Sequence, residues 1–527
     1  MPDRRREASP RSVIHRSPYP DPRIPALALD AYVLERAGDY ADRVALVDGV
    51  TEQTLTYGAL ARAVHLGASG LVAEGVRPGD VVALLGSNEL AWAAGFHAIL
   101  AAGAVALPIN PMCTAEEIAR LLDDSDARFV VASDAARDEA LSASRLSHHQ
   151  DVFTLDPSCE EGPFNEIPLA TGGVPRLDQD TARAPAVIAY SSGTEGLPKR
   201  VLLTHRNLVA NVEQHQPVQV IAPDEVFCAF IPFFHMYGLT LILNAALRNG
   251  GTVVTLPRFD IERYLTLIEK YRVTRLHLVP PVVFALAAYP SLETRDLSSV
   301  RVAVSGGAPL DAAVALELGR RVGFRVIQGY GMTEASPGTH YVPSDDRGAK
   351  VPAGSVGFLV PGTEARLVDP GTGVENEREG ELWLRGPQIT PGYLGAPEAA
   401  ASALVDGWLR TGDVLRIDEH GAFFVVDRLK ELIKYNSYEV APAELEAVLR
   451  SHPQVADAAV VGLPRAPEGE TPVAYVVAKG ELDPAALVAW VAERVAPYKK
   501  IRDVRLVAEI PRSPSGKILR RILRERG

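Results

Sequence analysis

Between residues 25 and 430, short apolar runs such as VVALLG, RFVVAS, AVIAYSS, GGTVVTL, RLHLVPP and VRVAVSG recur between Ala/Leu-rich stretches of helical character. Strands apolar along their whole length must be covered on both faces, and parallel strands can be joined only through long crossovers. A chain written this way is held to a layered α/β architecture of mostly parallel sheets and helices. From about 350 to 425 the pattern changes to short strands between Gly/Pro turns (AGSVGFLVPGTEARLVD, GELWLRG, GWLRTGD, GAFFVVDR), which predicts a small antiparallel sheet or barrel added to the layers. Past Asp427 and Arg428 a third pattern begins, with the helix PAELEAVLRSH, the strands DAAVVGLP and PVAYVVAKG, the helix LVAWVAERV and the tail PRSPSGKILRRIL. It has the size and composition of a small α+β domain. The expected organisation is a disordered basic tail over 1–24, a large domain over 25–426, a hinge at 427–430 and a small domain over 431–527.

Charge and cysteine usage narrow the function classes. In 527 residues, 54 Lys and Arg stand against 66 Asp and Glu, for a net charge of −12, so duplex nucleic acid would be repelled by the chain as a whole. The three cysteines, Cys113, Cys159 and Cys228, have no short paired spacing, so neither a disulfide framework nor a zinc cluster is written here, and a reducing cytoplasm is the expected setting. The opening MPDRRREASPRS has arginines without an apolar run behind them, which excludes a secretory signal. The uncharged stretch from Leu90 to Ile109 contains Gly95, His97, Gly103 and Pro108 and reads as a buried helix ending near Gly103, followed by the strand AVALPIN, not as a membrane span.

The segment Tyr190-Ser-Ser-Gly-Thr-Glu-Gly-Leu-Pro-Lys199-Arg200 follows the apolar strand AVIA and precedes VLLTHRNLVANV, which reads as helix. Small hydroxyl residues and two glycines let backbone N–H groups and hydroxyls curl around phosphate oxygens, with Lys199 adding a point charge. It is not the GxxxxGK[ST] loop, because Lys199 follows no glycine and no Ser or Thr follows it. Judged alone, an ordinary Ser/Gly turn competes equally with a phosphate cradle. Four further segments stand downstream: Gln328-Gly-Tyr-Gly-Met-Thr333-Glu334, Gly407-Trp-Leu-Arg-Thr-Gly-Asp413, Asp427-Arg-Leu-Lys-Glu-Leu-Ile-Lys434 and Pro511-Arg-Ser-Pro-Ser-Gly-Lys517.

These five segments, in this order, resemble the adenylate-forming superfamily of acyl-CoA synthetases, from about Arg16 to the C-terminus. PFFHMYGL, GYGMTEASPGTH and DRLKELIKY followed by VAPAELEAVL look most like its 4-coumarate:CoA ligase branch. The resemblance implies an AMP-forming ligase using ATP and Mg²⁺. Ser191, Ser192, Gly193, Thr194, Gly196 and Lys199 would hold the pyrophosphate end of ATP, and Thr333 would contact the α-phosphate. Glu334 would help hold Mg²⁺, which favours carboxylate and phosphate oxygens. Tyr330 would stack near adenine, Asp413 and Arg428 would bind the ribose, and Gln328, Gly331 and Lys434 would complete the nucleotide site. Lys517 would reach the α-phosphate from a mobile small domain, making it, with Lys199, Thr333 and Glu334, the catalytic set. The acid pocket would comprise His235, Tyr237, Ser305, Gly306, Gly307, Gly331, Met332 and Pro337. Glycines at 306, 307 and 331 suit a flat ring near the backbone, and the Tyr237 hydroxyl would meet a polar ring substituent.

Two departures bear on function. Related ligases carry Thr or Ser where this chain has Glu195, and Gly where it has Arg200. A carboxylate among phosphates is repelled by about 4 kcal/mol at ~4 Å and an effective dielectric of ~20, so Arg200 or a Mg²⁺ contact is expected to offset Glu195. After Lys434 the relatives read approximately Lys-Gly-Phe-Gln, whereas this chain reads Asn436-Ser437-Tyr438-Glu439. A side chain at 437 narrows the approach of a CoA arm, and the missing lysine removes a partner for its phosphates. The readings that follow are activation of an aromatic acid for transfer to CoA or a carrier thiol, activation of nitrite for diazotisation of an aminoaryl acid, and a non-catalytic nucleotide-binding relative.

Overall fold

The computed structural model describes residues 13–147, 151–159, 162–165, 167, 180–191, 199–429, 431–435, 438–465, 469–495, 497–513 and 516–526, with the side chains at 434, 438, 439 and 498 excepted. Two layered sheets dominate. One runs, edge to edge, Gly392–Tyr393, Lys199–Thr204, Pro185–Ser191, Val105–Ile109, Val81–Leu85, Ala127–Ala132 and Asp151–Thr154. Its last five strands are parallel, and its first two are added antiparallel. The other has nine strands, with Arg325–Gly331, Val302–Ser305, Arg275–Leu278, Val226–Ala229, Thr252–Thr255 and Val44–Asp48 parallel in that order and antiparallel strands closing both edges. The helix Leu90–Ala101 is buried almost throughout, with Trp92 and Phe96 stacked inside the main core, and the strand Val105–Ile109 follows it as the sequence implies. Among the described residues no helix is long and apolar enough to cross a membrane.

Strands Glu364–Val368, Glu379–Arg385, Trp408–Ile417 and Phe423–Arg428 form the expected antiparallel sheet, around Leu367, Leu382, Leu384 and Leu415. The last sheet, from Ile433 to Leu506, has its own core, in which Leu445 and Leu449 of the helix Pro442–Arg450 meet Val460, Val476, Leu487 and Val491.

Two expectations are corrected. The segment after the Ser/Gly run does not enter a helix directly: Lys199–Thr204 is a strand, and the helix His205–Gln219 begins after it. The alternation of buried Val201 and Leu203 with Arg200 and Leu202 satisfies a strand. The helix start is fixed by a reciprocal cap, Thr204 Oγ1 accepting from Asn207 N and Asn207 Oδ1 accepting from Thr204 N. Nor is the tail disordered up to residue 24. His15–Arg16 pairs with Glu364–Val368, Ser17 donates to the Leu359 carbonyl, and Asp21 accepts from Gly362 N. Arg16, counted in sequence as part of a basic tail, is held by Glu364.

Candidate active site

Strands Pro185–Ser191 and Lys199–Thr204 pair antiparallel with Ser191 opposite Lys199, so the chain enters and leaves the Ser/Gly run on neighbouring strands. Ser192, Gly193, Thr194, Glu195 and Gly196 lie outside the described residues, as do Asn436 and Ser437. Arg200 donates to the Asp124 carbonyl near the end of the helix Ala115–Ser125, and its own carbonyl accepts from Leu394 N.

The strand Arg325–Gly331 leads into the short helix Thr333–Ala335, which sets Thr333 and Glu334 at its mouth. Glu334 is only 7% exposed. Its carbonyl accepts from Thr390 N at 2.8 Å, and its Oε1 accepts from the Tyr393 hydroxyl at 3.0 Å. Lys199 lies on the same tyrosine, with Nζ 4.9 Å from the ring centre. A Mg²⁺ ion is ordinarily held by one or two carboxylates plus substrate phosphates instead of an all-protein cage. One buried carboxylate with one oxygen engaged and the other without a hydrogen bond to a described residue suits that arrangement, and among the described residues there is no acidic cluster that would hold a metal alone.

Asp413 sits on Trp408–Ile417, in register with Arg428 on Phe423–Arg428. Asp413, 4% exposed, accepts from Arg428 Nε and from the Tyr330 hydroxyl, each at 2.6 Å. Burial first, then the Asp413 charge, raises the Tyr330 phenol far above its ordinary range. Gln328, one residue before Gly329, is turned inward, its Oε1 accepting from Leu310 N.

Lys517 arrives from the far end of the chain. Its turn is held by the backbone, Ser513 N donating to the Lys517 carbonyl and Lys517 N to Ser513 Oγ. Gly516 packs so closely on Pro281 that an added Cβ would lie 2.8 Å from that ring. Burial, then the Arg428 guanidinium, pull the Lys517 ammonium below its ordinary range, opposed by Asp413, Glu431 and Glu334. Segments near residues 334, 413, 428 and 517 are therefore within electrostatic reach of one amine. His235 shares this environment: burial, then Lys517, lower it to about 4, so it is neutral at pH 7.

The expected acid pocket is modified in its details. The Tyr237 hydroxyl donates to the Val304 carbonyl at 3.1 Å, so its proton is committed to the backbone and not held for a ring substituent. Its ring lies over Gly306, where an added Cβ would be 3.3 Å away. At Gly331 an added Cβ would lie 2.1 Å from the Pro337 carbonyl, which in turn accepts from Met332 N. Backbone packing alone therefore requires glycine at this position. Gly307 has φ of 85°, the left-handed region that favours glycine. Ser305 Oγ is buried without a hydrogen-bond partner among the described residues, which makes it a free polar atom beside Tyr237 and Gly306.

Asp427 lies on the strand Phe423–Arg428, beside the helix Pro442–Arg450. Its carboxylate accepts from Arg428 N and from Ala443 N, in the first turn of the helix Pro442–Arg450. Burial raises it from an ordinary 3.8 to about 7, against those N–H groups and Arg520, while Glu431 adds to the rise. A raised folded-state value means this group's contribution to stability is full below pH 3.8 and is lost as pH climbs through about 7. Asp427→Asn is therefore expected to gain stability relative to the parent between pH 5 and pH 8, read as a difference in urea midpoints. A difference independent of pH would show that Asp427 does not titrate there.

Tyr393 and Thr390 escaped the sequence reading, because a Thr-Pro-Gly-Tyr run between strands has no chemical signature of its own. The only available signal was their position after the strand WLR. Lys434 is placed only by its backbone, paired with Glu439.

Residues 33–394 match the family model described as AMP-binding enzyme, and residues 444–517 match that of the AMP-binding enzyme C-terminal domain. The 4-coumarate–CoA ligase of Pinus taeda is 39% identical over 535 residues, covering 97% of each chain. The ATP-bound structure of MatB from Rhodopseudomonas palustris superposes with a TM-score of 0.86 at 31% identity, covering 94% of this chain and 98% of that one. The amide bond synthetase McbA from Marinactinospora thermotolerans superposes at 0.84 with 31% identity, over 94% and 99% of the two chains.

Proposed function

The chain belongs to the AMP-binding enzyme family and is an AMP-forming ligase of the adenylate-forming acyl-CoA ligase type, and from that premise we propose that it activates an aromatic, cinnamate- or coumarate-like acid for transfer to a thiol. The observation that carries the reading is the Tyr330–Asp413–Arg428 hydrogen-bonded set, with Lys517 from the far end of the chain and Glu334 within electrostatic reach of it.

In this reading a carboxylate oxygen attacks the α-phosphorus in line and pyrophosphate leaves, so the task of the protein is positioning and charge stabilisation. Lys199 and the hydroxyl-rich run hold the outgoing pyrophosphate, and Thr333 and Lys517 face the α-phosphate. Asp413 and Arg428 fix the ribose, with Tyr330 on the adenine side, its hydroxyl bonded to Asp413. Mg²⁺ beside Glu334 would neutralise phosphate charge as it builds. The polar Ser305 Oγ and the Tyr237 ring supply an aryl-binding wall. Rotation about 427–430 breaks the Asp427–Ala443 contact and withdraws Lys517 so that the second substrate can enter.

A second reading is favoured by the loop Asn436-Ser437-Tyr438-Glu439, which lacks the lysine and the glycine that would admit CoA. There the activated acid is nitrite, and an aminoaryl acid attacks the nitrous anhydride. Pyrophosphate release across a panel of aryl acids, with and without CoA, and with nitrite plus aminoaryl acids, separates the readings. Release with a cinnamate-like acid and thioester formation with CoA support the first. Release that requires nitrite supports the second, and ADP in place of AMP, or no release with any acid, overturns both.

A further inference from the structure

In the adenylation reading Lys199 and Glu334 serve the same phosphates, and an ammonium and a carboxylate free to approach each other would pair. Among the described residues no ion pair joins Lys199 to Glu334. Between them stands Tyr393, carrying the Lys199 ammonium 4.9 Å from its ring centre and donating its hydroxyl proton to Glu334 Oε1 at 3.0 Å. The tyrosine is fixed to both partners through the backbone. Gly392 and Tyr393 pair with Leu202 and Val201 on the strand that starts at Lys199, and Leu394 N donates to the Arg200 carbonyl. Two residues earlier Thr390 N donates to the Glu334 carbonyl, while Thr390 Oγ1 donates to the Leu202 carbonyl and accepts from Gly392 N. Residues 390–394 thus clip the strand leaving the phosphate run to the helix that bears Glu334.

We propose that Tyr393 is a positioning residue, whose ring seats Lys199 and whose hydroxyl aims Glu334, keeping the two charges separate and available for a magnesium-bound polyphosphate. It rests on the adenylation reading above. An ammonium over an aromatic face keeps its charge while being held in place. A carboxylate with one oxygen bonded to a phenol is restrained from swinging towards the lysine, which would leave its second oxygen for the cation. Without the tyrosine, Lys199 and Glu334 would collapse into a pair that incoming Mg·ATP must first break.

The two halves of the side chain have separable effects. Tyr393→Phe keeps the ring and deletes the hydroxyl, so the Mg²⁺ concentration for half-maximal acid-dependent pyrophosphate exchange should rise about 10-fold, the worth of one hydrogen bond to a charged group. The rate at saturating Mg²⁺ should stay within about 2-fold of the parent. Calorimetry supplies a readout independent of turnover: the gain in ATP affinity on adding Mg²⁺ should shrink in Tyr393→Phe by more than metal-free ATP binding falls. Tyr393→Leu should in addition weaken metal-free ATP binding, because Lys199 loses its seat. If Tyr393→Leu does not fold, the phenylalanine variant alone decides the role of the hydroxyl. An unchanged Mg²⁺ dependence in Tyr393→Phe, or equal losses with and without the metal, overturns the role of Tyr393 and leaves the adenylation reading standing. A parent protein that binds no Mg·ATP overturns both.

Discussion

Lys517→Ala should reduce acid-dependent pyrophosphate release by about 10²–10³-fold, the loss typical of removing one donor aimed at charge that develops in a transition state. The amine is held where burial and Arg428 work against its charge, with Asp413, Glu431 and Glu334 compensating in part. A cation kept at such a place is least favourable when alone and most useful when negative charge builds beside it. The fold should survive the change. The turn that presents residue 517 is tied through its own N–H and carbonyl to Ser513, and the neighbouring Arg520 remains bonded to Glu431 and Glu446. Thermal unfolding should therefore stay close to that of the parent while the first half-reaction fails. Consumption of a supplied acyl-adenylate should fall far less, because the lysine acts only while the α-phosphorus is attacked. Near-parental pyrophosphate release would remove Lys517 from the chemistry.

The features legible in the sequence are those written in runs. Apolar stretches of five residues between helical segments pointed to the two layered sheets, because a covered parallel strand accommodates VVALL and VALPI over their whole length. The small domain was legible for the same reason. Ambiguity began where one run served either period: VLLT is short enough for strand or helix, and the strand wins because Val201 and Leu203 face the core beside Pro185–Ser191. In the site, motif residues such as Glu334, Asp413, Arg428 and Lys517 could be named from sequence, but not what occupies them at rest. That Tyr330 spends its hydroxyl on Asp413, that Tyr237 spends its own on Val304, and that Gly331 is glycine because of the Pro337 carbonyl are facts of tertiary contact. Tyr393 is the clearest omission. Its importance comes from lying between residues 199 and 334, a relation created by an edge strand of two residues that no local pattern announces.

Asp413→Asn should weaken ATP binding by about 10–100-fold, the cost of exchanging charge-assisted hydrogen bonds for neutral ones at a buried site. The carboxylate carries several duties. It accepts from Tyr330 and from Arg428, and in the proposed complex its remaining lone pairs receive the ribose hydroxyls. Asparagine has nearly the same shape but offers one acceptor oxygen, so Tyr330, Arg428 and the ribose must compete for it. Its amide nitrogen would in addition point a donor at one of two existing donors. Arg428 is 26% exposed along its side chain, so water relieves part of the loss, and the folding penalty should stay below the roughly 3–5 kcal/mol of a fully buried broken pair. Affinity should therefore fall more than stability. Comparison of ATP with 2′-deoxy- and 3′-deoxy-ATP by calorimetry isolates the ribose contribution: removing the relevant hydroxyl should weaken binding to the parent protein and have little further effect on Asp413→Asn. Equal penalties in parent and variant would place the ribose elsewhere and leave Asp413 as the anchor of Arg428 and Tyr330 alone.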